Sequence, residues 1–186
     1  KSYANIINKE TQRLGSLIGD LLDLSRIDAG KGLSLTMEEM DFTDLLRIVY
    51  ETYKNASSKH KIILTIPDKS ETILFDKNKM IQVMTNLLSN AIKYSPDGGN
   101  VTITMEDRGN RVYTSVKDEG LGISKEDQGR IFEKFYRVEN EAVRKISGTG
   151  IGLPIVKYMI ELHNGGIEVK SEPGKGSEFI FYIPKL

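Results

Sequence analysis

Asn86-Leu87-Leu88-Ser89-Asn90-Ala91-Ile92-Lys93-Tyr94-Ser95 is the stretch on which the reading of this chain turns. Wound as a helix, it sets Asn86, Asn90 and Lys93 at steps of four and three. Two amides and an ammonium then share one face, while Met84, Leu88 and Ala91 line another. One side is fit for burial and the other is equipped for chemistry. The neutral oxygen of Asn90 suits a hard cation such as Mg²⁺, which keeps several waters and bridges to phosphates, and Lys93 supplies a point charge for the same phosphates. Taken alone, the pattern fits any polar helix face equally well. The flanking sequence decides.

Asp76 is placed to cap this helix, and Pro96-Asp97-Gly98-Gly99 ends it with turn chemistry. Two alternating strands follow, Val101, Ile103, Met105 and then Val112, Thr114, Val116, with Gly109-Asn110 suited to a tight hairpin between them. The second strand runs into Asp118-Glu119-Gly120-Leu121-Gly122-Ile123. A carboxylate just past a strand, beside glycine backbone with no Cβ in the way, suits a flat ligand carrying an amino donor. On its own, Asp with Gly-x-Gly is more often a turn. Ser124 and Asp127 form a capping box for a short helix through about Phe132. Within Phe132-Glu133-Lys134-Phe135-Tyr136-Arg137, the two phenylalanines are expected to anchor a long loop on the core.

Residues Val138 to Ser147 are polar and aperiodic, which predicts a mobile loop of the kind that covers sites. Gly148-Thr149-Gly150-Ile151-Gly152-Leu153-Pro154 then opens a helix carrying Ile155, Val156, Met159 and Ile160. Free N–H groups at such a helix start attract phosphate, and Pro in the first turn forfeits no hydrogen bond. Gly165-Gly166 is expected to stop that helix. Ile167 and Val169, then Phe179, Phe181 and Ile183, supply two last strands joined through Pro173-Gly174-Lys175-Gly176.

Upstream, residues 1–29 place Ile6, Ile7, Leu14, Leu17, Ile18, Leu21, Leu24 and Ile27 among Lys9, Glu10, Arg13, Asp20 and Asp23. This is one long amphipathic helix. Its stripe is too rich for a helix alone in water and predicts packing on another helix, a missing partner or a second copy, although folding onto its own domain is the plainer alternative. Gly15 and Gly19 each cost such a helix about 1 kcal/mol relative to Ala. Ala29-Gly30-Lys31-Gly32 reads as a hinge. From Leu33 to Met40 the alternation predicts a half-buried strand. Asp41 caps a helix of about Phe42 to Ser57 with Leu45, Leu46, Val49 and Tyr53 inward. Ile62, Leu64 and Ile66 predict a strand before Pro67, and Ile73 to Phe75 another short one.

Composition sets the limits of function. The 186 residues are 39% hydrophobic and 28% charged, which suits one globular core plus an appendage. Lys plus Arg (26) equals Asp plus Glu (26), so no net field argues for nucleic acid or an anionic membrane. There is no cysteine, which removes disulfides, thiol nucleophiles and cysteine metal sites. No apolar run reaches membrane-spanning length and no signal sequence opens the chain. It starts on Lys1 instead of Met, as expected of a piece of a longer protein.

Four pieces stand in order: the Asn-x-x-x-Asn helix, Asp-x-Gly-x-Gly, Phe-x-x-Phe and Gly-x-Gly-x-Gly. Together they resemble the N, G1, F and G2 boxes of sensor histidine kinases of two-component systems, and Gly174-Lys175-Gly176-Ser177-Glu178-Phe179 is similar to the glycine-rich turn that closes that domain. The resemblance covers nearly the whole chain. It implies an α+β fold, a two-layer α/β sandwich of the GHKL (Bergerat) type with a mixed sheet faced by helices, preceded by one long amphipathic helix. Residues 1–29 would be the second helix of the dimerisation and phosphotransfer hairpin, and 30–186 the catalytic ATP-binding domain. By the same resemblance Asn90, with Asn86 beside it, meets Mg²⁺, and Lys93 meets phosphate. Tyr94 lies by the adenine, and Asp118 accepts from the adenine amino group in a pocket shaped by Gly120, Gly122 and Ile123. Arg137 contacts phosphate, as does the run Gly148, Thr149, Gly150, Ile151, Gly152, Leu153. Lys93 and Arg137 would carry the catalytic charge.

Related ATPases of the gyrase, Hsp90 and MutL type place a Glu where Asn86 stands. A neutral amide cannot take a proton from water, so Asn86 argues for passing phosphate on. One departure matters: the family's acceptor histidine, with its following acid and Arg-Thr-Pro segment, has no match here. His60 and His163 have no adjacent acid and share no ligand spacing, so both are expected to be structural or exposed. The implied activity is transfer of the γ-phosphoryl group of Mg-ATP to a histidine outside this sequence, for relay to a response regulator. The implied setting is a homodimer in the full-length protein, cytoplasmic, with no nucleic-acid partner. A nucleotide-responsive module without phosphotransfer, or an ATPase of the wider group, is the alternative.

Overall fold

A computed structural model describes residues 2–30, 32–144 and 146–185. Lys1, Lys31 of the expected hinge, and Lys145 of the expected loop lie outside the described residues. So do the side chains of Ile6, Lys9, Glu10 and Arg13. The chain divides into two compact units, Lys1–Ser34 and Leu35–Leu186.

In the first unit, helix α1 runs Ser2–Asp28. It ends where Gly30 adopts φ +67°, a left-handed turn that a side chain disfavours. Ile7, Leu14, Ile18, Leu21 and Leu22 are each more than half exposed. No helix among the described residues is long and apolar enough to cross a membrane.

The second unit orders β1 (Glu38–Asp41), α2 (Phe42–Tyr53), β2 (His60–Thr65), β3 (Thr72–Phe75), α3 (Lys77–Lys93), β4 (Gly99–Asp107), β5 (Arg111–Asp118), α4 (Lys125–Gln128), α5 (Glu141–Arg144), α6 (Gly152–Leu162), β6 (Gly166–Glu172) and β7 (Gly176–Pro184). Its main sheet has strand order β2-β4-β5-β7-β6, and β1 pairs with β3 in a separate ribbon. Among the described strands only β2 and β4 run parallel. A parallel pair needs a long crossover, and α3 lies within it. Alternate residues Val101, Ile103, Met105, Val112, Val116, Phe179, Phe181 and Ile183 are buried on one face of the sheet. Against that layer pack α3 and α6, which also contact one another, while α2 contacts α3 and β2. The α+β sandwich with a mixed sheet is therefore the fold the motifs implied.

Several boundaries differ from the sequence reading. The strand expected from Leu33 is regular only at Glu38–Asp41, because its partner β3 ends at Phe75, opposite Glu38. Beyond that point the ladder has no partner, and the Thr36 N–H donates to Asp76 Oδ2 at 2.7 Å instead. Helix α2 stops at Tyr53, short of Ser57. The capping box of Ser124 holds, with Ser124 Oγ accepting the Asp127 N–H at 3.2 Å, but α4 ends at Gln128 and not near Phe132. Phe135 is not a core anchor: it is 62% exposed and left-handed at φ +63°. Phe132 does pack edge-on against Phe179, with ring centroids 6.4 Å apart. The loop of Val138 to Ser147 contains the helical turn α5, where Asn140 Oδ1 accepts the Val143 N–H at 2.7 Å and Val143 is buried. At the end of α6 the left-handed residue is Asn164, φ +56°, one position before the expected glycines.

Candidate functional site

Helix α3 is fixed at its start by Asp76. Its Oδ1 accepts the Lys79 N–H at 3.0 Å, which satisfies an otherwise orphan donor of the first turn. The Asp76 N–H in turn donates to His163 Nε2 at 3.0 Å, while His163 Nδ1 donates to the Met159 carbonyl at 2.7 Å. His163 is thus a buried clamp between the start of α3 and the end of α6. His60 is likewise structural, with Nδ1 2.7 Å from Ser57 Oγ and Nε2 2.8 Å from the Ser95 carbonyl. Met80, Val83, Met84, Leu87, Leu88 and Ala91 bury one face of α3. That leaves Asn86, Asn90 and Lys93 half-buried on the other.

Asp118 ends β5 and is 4% exposed. Burial pushes its carboxyl above the ordinary range, and backbone N–H groups pull the other way. Those donors are Gly120 at 2.8 Å and Ser177 at 3.2 Å, both to Oδ1. Oδ2 has no partner among the described residues. Gly120 is required here because a Cβ would stand 2.2 Å from the Tyr94 carbonyl. The same carbonyl accepts the Leu121 N–H at 2.9 Å. The loop after Asp118 is thereby tied to the C-terminal end of α3. Gly122 adopts φ +67° with the Glu172 carbonyl 2.0 Å from where a Cβ would sit, so it too admits no side chain.

The third piece arrives from the other side. Phe135 donates its N–H to the Gly150 carbonyl at 2.9 Å, closing the neck of the loop between them. Inside that loop Arg137 donates to the carbonyls of Gly148 at 3.2 Å, Val143 at 3.1 Å and Ile146 at 2.5 Å. It also engages the Tyr94 hydroxyl. Burial raises the Tyr94 phenol above its ordinary value, and this guanidinium lowers it. Gly148 lies against the other face of α3: a Cβ there would be 2.7 Å from Lys93 Nζ and 3.6 Å from the Tyr94 hydroxyl. A Cβ at Gly152 would be 3.0 Å from Asn86 Oδ1. Asn86 holds its amide in place by donating from Nδ2 to the Gln82 carbonyl at 3.1 Å. The N-cap residue of α6, Ile151, gives no side-chain cap, so the first N–H groups of that helix are not occupied from within.

The structure thus gathers Asn86, Lys93, Tyr94, Asp118, Gly120, Arg137, Gly148 and Gly152 around the second half of α3. Asn90 lies on the same face one turn on from Asn86, and Thr149 is exposed in the loop. Ile151 is a core side chain, 2% exposed, which leaves only its backbone for a ligand. Gly122 and Ile123 sit under the Asp118 loop, where the Ile123 N–H donates to Ser171 Oγ at 2.8 Å. Sequence reasoning missed Ser171 and Gln128, whose Nε2 donates to the carbonyls of Ile123 and Ser171, both at 2.9 Å. No spacing marks them, because they reach the site across strands.

Comparison with known proteins gives the family. Residues 75–186 match the model of the histidine kinase-, DNA gyrase B- and HSP90-like ATPases. The chain is 37% identical over 185 residues to the sensor histidine kinase WalK of Bacillus subtilis, covering 98% of this chain and 30% of WalK. It is 38% identical over 193 residues to the sensor-like histidine kinase SenX3 of Mycolicibacterium smegmatis, covering all of this chain and 48% of SenX3. It therefore spans at most about half the length of these relatives. Among solved structures it resembles full-length ShkA in complex with AMPPNP, at TM-score 0.82 and 30% identity over 99% of this chain and 38% of ShkA. It also resembles the histidine kinase ThkA in complex with the response regulator TrrA, at TM-score 0.76 and 29% identity over 100% of this chain and 51% of ThkA.

Proposed function

The chain belongs to the family of histidine kinase-, DNA gyrase B- and HSP90-like ATPases, as the ATP-binding catalytic domain of the sensor histidine kinase type, and on that premise we propose that it transfers the γ-phosphoryl group of ATP to a histidine outside this sequence. The observation that carries the proposal is the meeting of the Asp118–Gly122 and Gly148–Gly152 segments on the C-terminal half of α3, with the Phe-x-x-Phe segment joined to the latter through the Phe135 N–H and the Gly150 carbonyl. Leu121 hydrogen-bonds the Tyr94 carbonyl at 2.9 Å, and Gly148 packs against Lys93.

The Asp118 carboxylate, with Oδ2 open, accepts from the adenine amino group, while Tyr94 lies beside the base. Lys93, Arg137 and the uncapped start of α6 receive the phosphates and neutralise charge that develops at the transferring group. Asn90 offers a single neutral oxygen on the phosphate side, which fits Mg²⁺ held mainly by phosphates and water and poorly fits a cage made by protein alone. When bound, Mg²⁺ supplies further neutralisation of the phosphate oxygens. Asn86 cannot act as a base toward water, and the base for an incoming imidazole lies with the acceptor. The acceptor helix of the same protein, a response regulator and a homodimeric, cytoplasmic parent complete this reading. In it residues 1–29 form the second helix of the dimerisation hairpin.

The test is incubation with Mg²⁺ and γ-labelled ATP, alone and with a separate fragment bearing the family's acceptor histidine. Acid-labile label is expected on the added fragment only. Asp118→Asn removes a charge-assisted acceptor and is expected to weaken ATP binding roughly 10- to 100-fold, the equivalent of about 1.5–3 kcal/mol. Label on the chain itself, or ATP binding without transfer to the fragment, would refute the phosphotransfer reading.

A further inference from the structure

We propose that Tyr136 is a positioning residue for the phosphate site: its bond to Asp127 ties the neck of the loop of Val138 to Ser147 to α4 and so holds the neighbouring Arg137 at the end of α3. The inference deepens the nucleotide reading above and rests on its assignment of Arg137 to phosphate. Tyr136 donates its hydroxyl hydrogen to Asp127 Oδ1 at 2.5 Å, within the range of a charge-assisted bond to a carboxylate. The other carboxylate oxygen accepts from the Ser124 hydroxyl at 2.7 Å. The Tyr136 bond holds the Asp127 carboxyl below its ordinary value, and the same bond holds the Tyr136 phenol above its own, so the acceptor stays ionised and the donor stays protonated. From above, the Arg130 guanidinium lies 4.1 Å from the centroid of the Tyr136 ring. Helix α4 is in turn fastened to β6, where Gln128 Nε2 donates to the Ser171 carbonyl at 2.9 Å. A ring at the mouth of the loop is thereby tied through one short helix to the sheet.

The backbone beside that ring is strained. Phe135 has φ +63°, a conformation that a residue with a Cβ disfavours, and its ring is 62% exposed, so burial does not offset the cost. Such strain persists where neighbouring contacts over-determine the chain. Two do so here. The Phe135 N–H donates to the Gly150 carbonyl at 2.9 Å, and the next residue is held by Asp127. Gly150 permits the approach because a Cβ there would stand 2.8 Å from the Tyr136 carbonyl oxygen. The chain leaves this double tie at Arg137, whose guanidinium reaches the Gly148 carbonyl at 3.2 Å and the Tyr94 hydroxyl. Tyr136 and Arg137 also wall an open cleft of about 690 Å³ with Arg130, Phe135 and Arg144. The segment therefore has room to relax, and to carry Arg137 with it, once the tie is cut.

A double-mutant cycle read by titration calorimetry of the 186-residue chain with ATP and Mg²⁺ tests this. Tyr136→Phe removes the hydroxyl and keeps the ring for Arg130. It is expected to weaken ATP binding about tenfold, the worth of one hydrogen bond to a charged group. In an Arg137→Gln background the same change is expected to weaken binding no further, because Tyr136 acts through that guanidinium. A merely structural role would give the same loss in both backgrounds. An unchanged affinity in Tyr136→Phe, or a full further loss in the Arg137→Gln background, would overturn the role assigned to Tyr136 while leaving the nucleotide reading in place. Undiminished ATP binding in Arg137→Gln alone would take Arg137 off the phosphates and this inference with it. Failure of the unaltered chain to bind ATP would overturn the nucleotide reading itself.

Discussion

His163 connects the fold to pH through a single ring. It is 2% exposed and doubly bonded as a neutral imidazole, giving a hydrogen to Met159 and receiving one from the Asp76 N–H. Protonation at Nε2 would set a hydrogen against that N–H. Burial pushes its pKa below the ordinary 6.5, although the Met159 bond and the nearby Asp76 charge oppose the shift. In the unfolded chain the ring takes a proton near 6.5, whereas the folded chain resists, so unfolding takes up a proton in the window below that value. The stability it contributes is full above about pH 6.5 and is lost as pH falls through the depressed folded value. Urea midpoints at pH 7.5 and 5.5 are expected to fall toward acid, and His163→Gln should flatten part of that fall. An equal fall in both proteins would remove His163 from the account. None of this was legible in the sequence, where His163 is simply a histidine near a helix end.

Elements were legible where the pattern was long and the partner local. Helices α3 and α6 and the β4–β5 hairpin lie where periodicity, Asp76 and Gly109-Asn110 put them, because caps and turns are written in adjacent residues. Extent was lost where a distant partner decides it. β1 is short because β3 is short, and the N-cap of α3 captures Thr36 from forty residues away. The loop of Val138 to Ser147 looked featureless because its order comes from Arg137, whose guanidinium gathers three carbonyls at once. The same guanidinium is assigned to phosphate under the proposed function, so the two engagements compete for its donors. Arg137→Gln, without nucleotide, is expected to loosen this loop and to speed tryptic cleavage after Arg144 by about an order of magnitude, since local opening governs such cuts. Mass spectrometry of timed digests would check it. An unchanged rate would mean that Asn140 and the turn of α5 hold the loop without Arg137.

At the scale of the whole molecule the two units pose different physical problems. The unit Leu35–Leu186 has its own buried core, with Phe42, Leu46, Phe75, Met84, Leu88, Ile103, Ile155 and Phe181 all essentially inaccessible. The unit Lys1–Ser34 has one helix, on which Ile7, Leu14 and Leu21 repeat at sevens with Ile18 between, all more than half exposed. An isolated helix gains little from propensity alone, and a seam of sevens is the pattern by which helices cover one another. The expected occupant of that seam is a second copy of α1, as the homodimer in the proposed function requires. Sedimentation of the 186-residue chain should therefore show dimers that dissociate on dilution. A trimmed chain of residues 35–186 should stay monomeric, folded and able to bind ATP, because that unit has its own buried core and carries every residue assigned to the nucleotide. The pair Leu14→Glu and Leu21→Glu places charge in the seam at two turns and should weaken dimers at least about tenfold, with ADP affinity unchanged. Dimers that survive both charges, or that persist in the trimmed chain, would move the self-association surface off α1 and onto the catalytic unit. Residues 1–29 would then have to be covered by some other segment of the parent protein.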